Sequence, residues 1–395
     1  MFTSLQELPT DPILGLMAAY RADEREGKVD LSVGVYKNAK GETPIFDAVK
    51  KAEAYRLETE TTKAYIGMTG TDGFNRLLLA EALGADHPAI TAGRVASSLA
   101  PGGCGALRAA AELMKHANDK ITVWASDPTW ANHIPLIGGV GLEIKNYPYF
   151  DRATHGVNFD GMMDTLNKLG PNDVVLLHAC CHNPTGAELS HAQWDIIAES
   201  AVKNGWIPFV DSAYQGLGRS LEDDGYGMRK MAASVDEMLL ALSCSKNFGL
   251  YRERVGLVAA ITSKDKRDAA LSHLKVIGRG MWSMPPAHGG AIVEHILETP
   301  DLRASWIKEL EDICTSINTS RQLLRNALTN AGIPGDFTYL TENRGMFSYL
   351  DLSPEQINRL KTEQAVYIVG SGRINIAGAH AGNVDRIAEA IKTVI

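Results

Sequence analysis

Short apolar runs recur through the middle of the chain: "ITVW" at 121–124, "VVLL" at 174–177, "IPFV" at 207–210, "LLAL" at 239–242 and "VGLVAAI" at 255–261. They are continuous rather than alternating, as in strands covered on both faces. Between two of them lies "HAQWDIIAESAVKNG", 191–205. There Trp194, Ile197, Ala201 and Val202 fall at helical spacing, and Gly205 suits a C-cap. Strands alternating with such helices predict an α/β domain with a mostly parallel sheet. Beyond "PPAHGG" the pattern changes. A helical stretch over roughly 290–332 leads to short strands at "MFSYL" and "AVYIV" and a last helix from Val384. Asn383 is placed to cap that helix, with Val384, Ile387, Ala388, Ile391 and Val394 on one face. This part reads as a smaller α+β domain, which the first residues are expected to join. The expected division is 45–300 for the large domain, and 1–44 with 301–395 for the small one.

Ligands of an open α/β sheet gather at the carboxyl ends of its strands, so the residues after each run carry the chemistry. After 95–100 comes "APGGCGALRAAAELMKHA", a glycine-rich turn opening a helix. Its first N–H groups offer an anion site, though a plain structural turn fits equally well. Gly103 and Gly105 match the first two glycines of G-x-G-x-x-G, but Arg108 stands where the third belongs. A single phosphate is therefore favoured over a dinucleotide. "CCHNPTG" follows the run at 174, "DSAYQG" the run at 207, and "SCSKNFGLYRERVG" the run at 239. Asp211 is either a helix N-cap or the partner of a cationic ring nitrogen. The strand ends thus deliver Asn183, Asp211 with Tyr214, and Lys246 to one crevice.

Composition narrows the class. The chain has 395 residues, 45% hydrophobic and 22% charged, with a net charge of -8. That length favours two domains, and the acidic balance argues against a nucleic-acid face. Five scattered cysteines (Cys104, Cys180, Cys181, Cys244 and Cys314) form no C-x-x-C pair. A reducing compartment is expected, with neither a disulfide framework nor a metal centre. No signal peptide or membrane-length apolar run is seen, so a cytoplasmic location with no membrane partner is expected.

Lysine, anion cradle, carboxylate and ring-oxygen donors together suit pyridoxal 5'-phosphate. Lys246 would bind the aldehyde as the Schiff-base lysine, and "PGGCG" with Arg254 would hold the phosphate. Asp211 would meet the ring nitrogen, with Asn183 and Tyr214 at the ring oxygen. Cations nearby are expected to lower the Lys246 pKa.

The ordered motifs "VGVYKNAKGETP", "YIGMTG", "PGGCGALR", "SDPTWANH", "LLHACCHNPTG", "DSAYQG", "SCSKNFGLYRERVG", "PPAHG" and "RINIAG" span nearly the whole chain. They resemble the class I PLP-dependent aminotransferases, in the aspartate/aromatic subgroup. The resemblance implies the PLP-dependent aspartate aminotransferase fold (fold type I) and a homodimer with shared active sites. It implies that Lys246 moves the proton, that Trp130 stacks on the cofactor ring and that His133 supports Asp211. Ser243, Arg254, Gly102, Gly103, Cys104 and the partner subunit's Tyr65 would hold the phosphate. Arg373, helped by Gly34, would clamp the substrate α-carboxylate, with Trp130 and Asn183 also lining the substrate site. Arg279 would reach across the dimer to a second carboxylate. Substrates would be aspartate or glutamate, or aromatic amino acids, with 2-oxo acids such as 2-oxoglutarate or oxaloacetate, in ping-pong order.

Two departures from the pattern stand out. Cys104 stands where a hydroxyl residue is usual. Met281 and Met284 stand where aspartate-selective members often carry asparagines. A methionine wall can repack around rings, which points to dual specificity. Strict aspartate specificity, or a PLP lyase on the same fold, is the alternative. A PLP-fold ligand sensor lacks a DNA-binding segment here, and a nicotinamide dehydrogenase lacks its glycine fingerprint.

Overall fold

The computed structural model describes residues 1–8, 11–38 and 40–395. Two compact units are present. One comprises Pro44–Thr315 with Asn343–Gly345; the other comprises Met1–Thr43, Ser316–Glu342 and Met346–Ile395.

The larger unit is built on a seven-stranded sheet. In chain order its strands are β1 (Val95–Pro101), β2 (Thr122–Asp127), β3 (Glu143–Pro148), β4 (Asp173–His178), β5 (Ile207–Ser212), β6 (Met238–Ser243) and β7 (Val255–Ile261). Their spatial order is β1-β7-β6-β5-β4-β2-β3. β7 runs antiparallel to both neighbours, while β2 to β6 pair in parallel. Strand β3, "EIKNYP", escapes the apolar pattern because it is an edge strand with mostly exposed side chains. The apolar runs of the central strands are continuous because both faces are covered. Val174, Leu176, Phe209, Leu240 and Ala241 have no exposed surface. Each buried large side chain contributes about 1.5–3 kcal/mol.

Helix α1 (Gly102–Ala117) packs on this sheet through Leu107, Ala110, Ala111 and Met114. Its alanines allow close approach and hold the start of the helix against the carboxyl ends of the strands. Helix α2 (His191–Asn204) opens with a capping box of Ser190 and Gln193 and ends at left-handed Gly205. Trp194, Ile197 and Ala201 are buried as expected, but Val202 is 59% exposed. The expected helix over roughly 290–332 is two helices, Ala287–Glu298 and Pro300–Asn330. Pro300 has no N–H to continue the first and suits the first turn of the second.

The smaller unit contains two two-stranded pairings. Val29–Asp30 pairs in parallel with Val366–Tyr367, and Phe347–Tyr349 antiparallel with Arg373–Asn375. The last helix, Val384–Val394, buries the five apolar residues expected. Asn383 precedes it but does not cap it with its side chain. Instead Oδ1 accepts from His380 N at 2.8 Å and Nδ2 donates to the Gly378 carbonyl at 2.9 Å. Among the described residues no helix is long and apolar enough to cross a membrane.

Candidate active site

The loop between β6 and β7 carries Lys246 and Arg254. Its ends are tied by Cys244 N donating to the Val255 carbonyl at 3.0 Å. Phe248 stacks on Trp306 at 4.4 Å, and Trp306 Nε1 donates to the Asn247 carbonyl at 2.7 Å. Gly249 turns the chain at φ +65°, and a methyl there would lie 3.1 Å from Phe46 Cε1. The lysine therefore sits on an anchored turn.

Lys246 Nζ lies 4.7 Å from the Tyr214 ring centroid. Burial lowers the Lys246 pKa, opposed by the Asp211 charge; Arg254 adds a smaller lowering. The cationic crowding expected from the sequence is thus the minor cause, and desolvation is the major one.

At the start of α1, Gly102 has φ +71°, and a methyl on it would lie 2.3 Å from Arg254 Nη2. One at Gly103 would lie 3.1 Å from Ser243 Cβ. Arg254 is braced by donating from Nη1 to Ser245 Oγ at 3.2 Å and to the Tyr251 carbonyl at 3.0 Å. A helix start, a guanidinium and a serine thus converge around bare backbone, the make-up of a phosphate cradle. Cys104 keeps its backbone in this turn, and its Sγ accepts from Asn132 Nδ2 at 3.8 Å.

Asp211 lies within β5, opposite His178 in the ladder, and is not a helix N-cap. Its Oδ2 accepts from His133 Nε2 at 3.1 Å. Burial pushes its pKa up, but His133, His178 and Lys246 together hold it below the usual carboxylate value. His133 Nδ1 meets Thr129 Oγ1 at 2.8 Å, and the same oxygen meets His178 Nε2 at 3.2 Å. Thr129 Oγ1 thus bridges the two imidazoles. Burial drives the His178 pKa down to about 3. Ser126 donates to the Pro128 carbonyl at 3.0 Å, so it accepts from His182 Nε2 at 2.9 Å. His182 Nδ1 then accepts from Thr185 at 2.9 Å. Tyr149 stacks on His182 at 4.0 Å. Trp130 meets His133 edge-on at 5.2 Å.

Asn183 and Tyr214 are both buried, with Asn183 Nδ2 donating to Tyr214 Oη at 3.5 Å. Asn183 Oδ1 is buried without a hydrogen-bond partner among the described residues.

Tyr65 is 88% exposed. Arg279, near the end of helix α3 (Arg267–Met281), is exposed and donates to Ser283 Oγ. Met281 on this segment is 39% exposed. Gly34 and Arg373 belong to the smaller unit. There Arg373 is buried, donates to the Ser32 carbonyl at 2.8 Å and lies 4.6 Å over the Phe347 ring. A methyl on Gly34 would lie 3.0 Å from the same ring. Sequence reasoning missed Thr129, Ser126, His178 and His182. Histidines in "LLHACCHNP" at a strand end were the available signal.

The donor set fits pyridoxal phosphate: a half-buried amine of lowered pKa, a phosphate cradle with no room for a side chain at Gly102, an ionised carboxylate and an unsatisfied amide oxygen. Known proteins agree. The aminotransferase class I and II family matches over residues 26–391. The chain is 43% identical to the aspartate aminotransferase of Escherichia coli strain K12 over 396 residues, covering all of both chains. It is 45% identical over 392 residues to the aromatic-amino-acid aminotransferase of Paracoccus denitrificans, covering 99% of each. A crystal structure of the Burkholderia pseudomallei aromatic-amino-acid aminotransferase, covalently bound to pyridoxal phosphate, superposes with a TM-score of 0.97. That protein is 44% identical, and the match covers 100% of this chain and 99% of the other. The chain belongs to the aminotransferase class I and II family and has the aspartate aminotransferase fold. Its substrates are amino acids and 2-oxo acids.

Proposed function

We propose that this protein is a pyridoxal 5'-phosphate-dependent aminotransferase exchanging amino groups between aspartate or glutamate, or aromatic amino acids, and 2-oxo acids. The observation that carries the reading is Lys246, half-buried, with Nζ 4.7 Å from the Tyr214 ring centroid and within reach of the charges of Asp211 and Arg254. Pyridoxal phosphate supplies an aldehyde that captures the amino group and a ring that accepts electrons as the Cα–H bond breaks. The chain's residues do the rest. Partial desolvation favours the neutral amine of Lys246, so Nζ would take the proton from the substrate Cα and deliver it to the former aldehyde carbon. Asp211, kept ionised by His133, holds the proton on the ring nitrogen. Tyr214 and Asn183 hold the ring oxygen; Gly102, Gly103, Cys104, Ser243 and Arg254 hold the phosphate; Trp130 covers the ring.

In the same reading Arg373, with Gly34, takes the substrate α-carboxylate, and Arg279 takes a second carboxylate. The protein acts as a homodimer in which Tyr65 and Arg279 serve the partner's site. It works in the cytoplasm. Its large domain is 45–300 and its small domain 1–44 with 301–395, a division supported by the two compact units, Pro44–Thr315 with Asn343–Gly345 and Met1–Thr43 with Ser316–Glu342 and Met346–Ile395. The relatives do not favour a lyase.

The visible spectrum of the purified protein, recorded before and after adding aspartate and then phenylalanine, tests this. A visible band bleached by both substrates is expected. Absence of a band even after adding pyridoxal phosphate would overturn the reading. Bleaching by aspartate alone would remove the aromatic activity.

A further inference from the structure

The carboxylate of Asp224 is buried and accepts three backbone N–H hydrogen bonds. Its Oδ2 accepts from Gly216 N and Gly218 N, each at 2.9 Å, and its Oδ1 accepts from Arg219 N at 3.0 Å. These donors follow Tyr214 by two, four and five residues. Leu217 N closes the turn onto the Tyr214 carbonyl at 2.9 Å. There is no slack in the wrapping. Gly216 has φ +92°, and a methyl there would lie 2.4 Å from Leu310 Cδ2. A methyl on Gly218 would lie 2.7 Å from Asp224 Oδ1 and 3.1 Å from Cys181 Sγ.

The same carboxylate sits against the loop that carries Asn183. The sulfurs of Cys180 and Cys181 and a carboxylate oxygen of Asp224 all lie within 4.8 Å of one another. Cys181 Sγ points to the Tyr214 carbonyl at 4.0 Å. This cluster is a poor metal site, because burial and the neighbouring acids keep the Cys181 thiol protonated, its pKa pushed up to about 12. Its geometry serves a different purpose. It is the point where the turn after Tyr214 and the turn before Asn183 are pinned together, directly behind two side chains 3.5 Å apart.

We propose that Asp224 is a positioning residue. By gathering the backbone of 216–219 against Cys181, it sets where the Tyr214 hydroxyl and the Asn183 amide stand relative to the cofactor ring oxygen. The proposal rests on the cofactor reading above. A hydrogen bond to that oxygen tunes the acidity of the Lys246–cofactor linkage, which is read as a pH-dependent colour change.

Asp224→Asn keeps the volume and one acceptor but turns an N–H2 toward one of its three donors. In the holoenzyme we expect the midpoint of the visible pH titration to move by at least about half a pH unit. We expect kcat for aspartate to fall about tenfold while KM changes less than about twofold. Gly218→Ala, which crowds the carboxylate from the loop side, should move the midpoint too and serves if Asp224→Asn does not fold. A variant titration that superimposes on the wild type, even with a lowered Tm, would make Asp224 mere scaffold and overturn the proposal. A wild type without a visible band would instead fail at the cofactor reading and remove the proposal with it.

Discussion

Lys246 is reactive in this reading chiefly through desolvation, with the cationic crowding by Arg254 a lesser cause. Removing it tests that role directly. Lys246→Ala is expected to slow the half-reaction with aspartate by about 10²–10⁴-fold, as followed by stopped-flow absorbance. A loss below tenfold would take the proton-transfer role away. His178 makes a second prediction. Folded, it stays neutral down to about pH 3; unfolded, it gains a proton below its ordinary value of 6.5. The unfolded chain therefore binds more protons between those values, and stability falls as pH falls through that window. The slope is about 1.4 kcal/mol per pH unit. Urea midpoints at pH 7 and pH 5 should show a smaller drop in His178→Asn than in the wild type. The meeting of Lys246, Asp211, Tyr214, Asn183 and Arg254 is legible in the sequence because each lies next to an apolar run or a few residues from its end. Thr129 and Ser126 are not legible. Their work is to bridge histidines 49 and 56 positions away, which no local pattern records.

Among the elements, the start of α1 is the most demanding. Gly102→Ala would combine a left-handed backbone with a methyl 2.3 Å from Arg254 Nη2. A left-handed non-glycine residue costs about 1–3 kcal/mol. Pyridoxal phosphate affinity, measured by fluorescence titration of the apoprotein, should fall about tenfold or more. The segment after α3 governs substrate choice in our reading. Met284→Asn should lower kcat/KM for phenylalanine several-fold and leave that for aspartate nearly unchanged. Equal effects on both would end the methionine-wall idea. Element legibility follows burial. β7 is read at once as "VGLVAAI" because all seven residues are buried. β3 is missed because solvent lets its side chains be polar.

Tyr65 and Arg279 are exposed, and in the proposed homodimer they serve the partner's site. Mixing Lys246→Ala and Arg279→Ala chains, each nearly inactive on aspartate, tests this. Random reassociation should restore about a quarter of wild-type activity, since half the dimers would be hybrids with one intact site. No recovery, with dimers verified by sedimentation, would place Arg279 in its own subunit's site. The alternation of strands and helices announces the larger unit. The smaller one is harder to read because it is assembled from segments more than 270 residues apart, joining Met1–Thr43 to Ser316–Glu342.

The reversal of β7 has one more consequence. Because that strand turns straight back beside β6, the amine of Lys246 and the guanidinium of Arg254 belong to a single stretch of chain, pinned at both ends and by Trp306. Such a stretch is a fixed gauge. It measures the length of a cofactor from its aldehyde to its anionic tail, and a vitamin lacking the tail would reach the amine yet leave the other jaw of the gauge open.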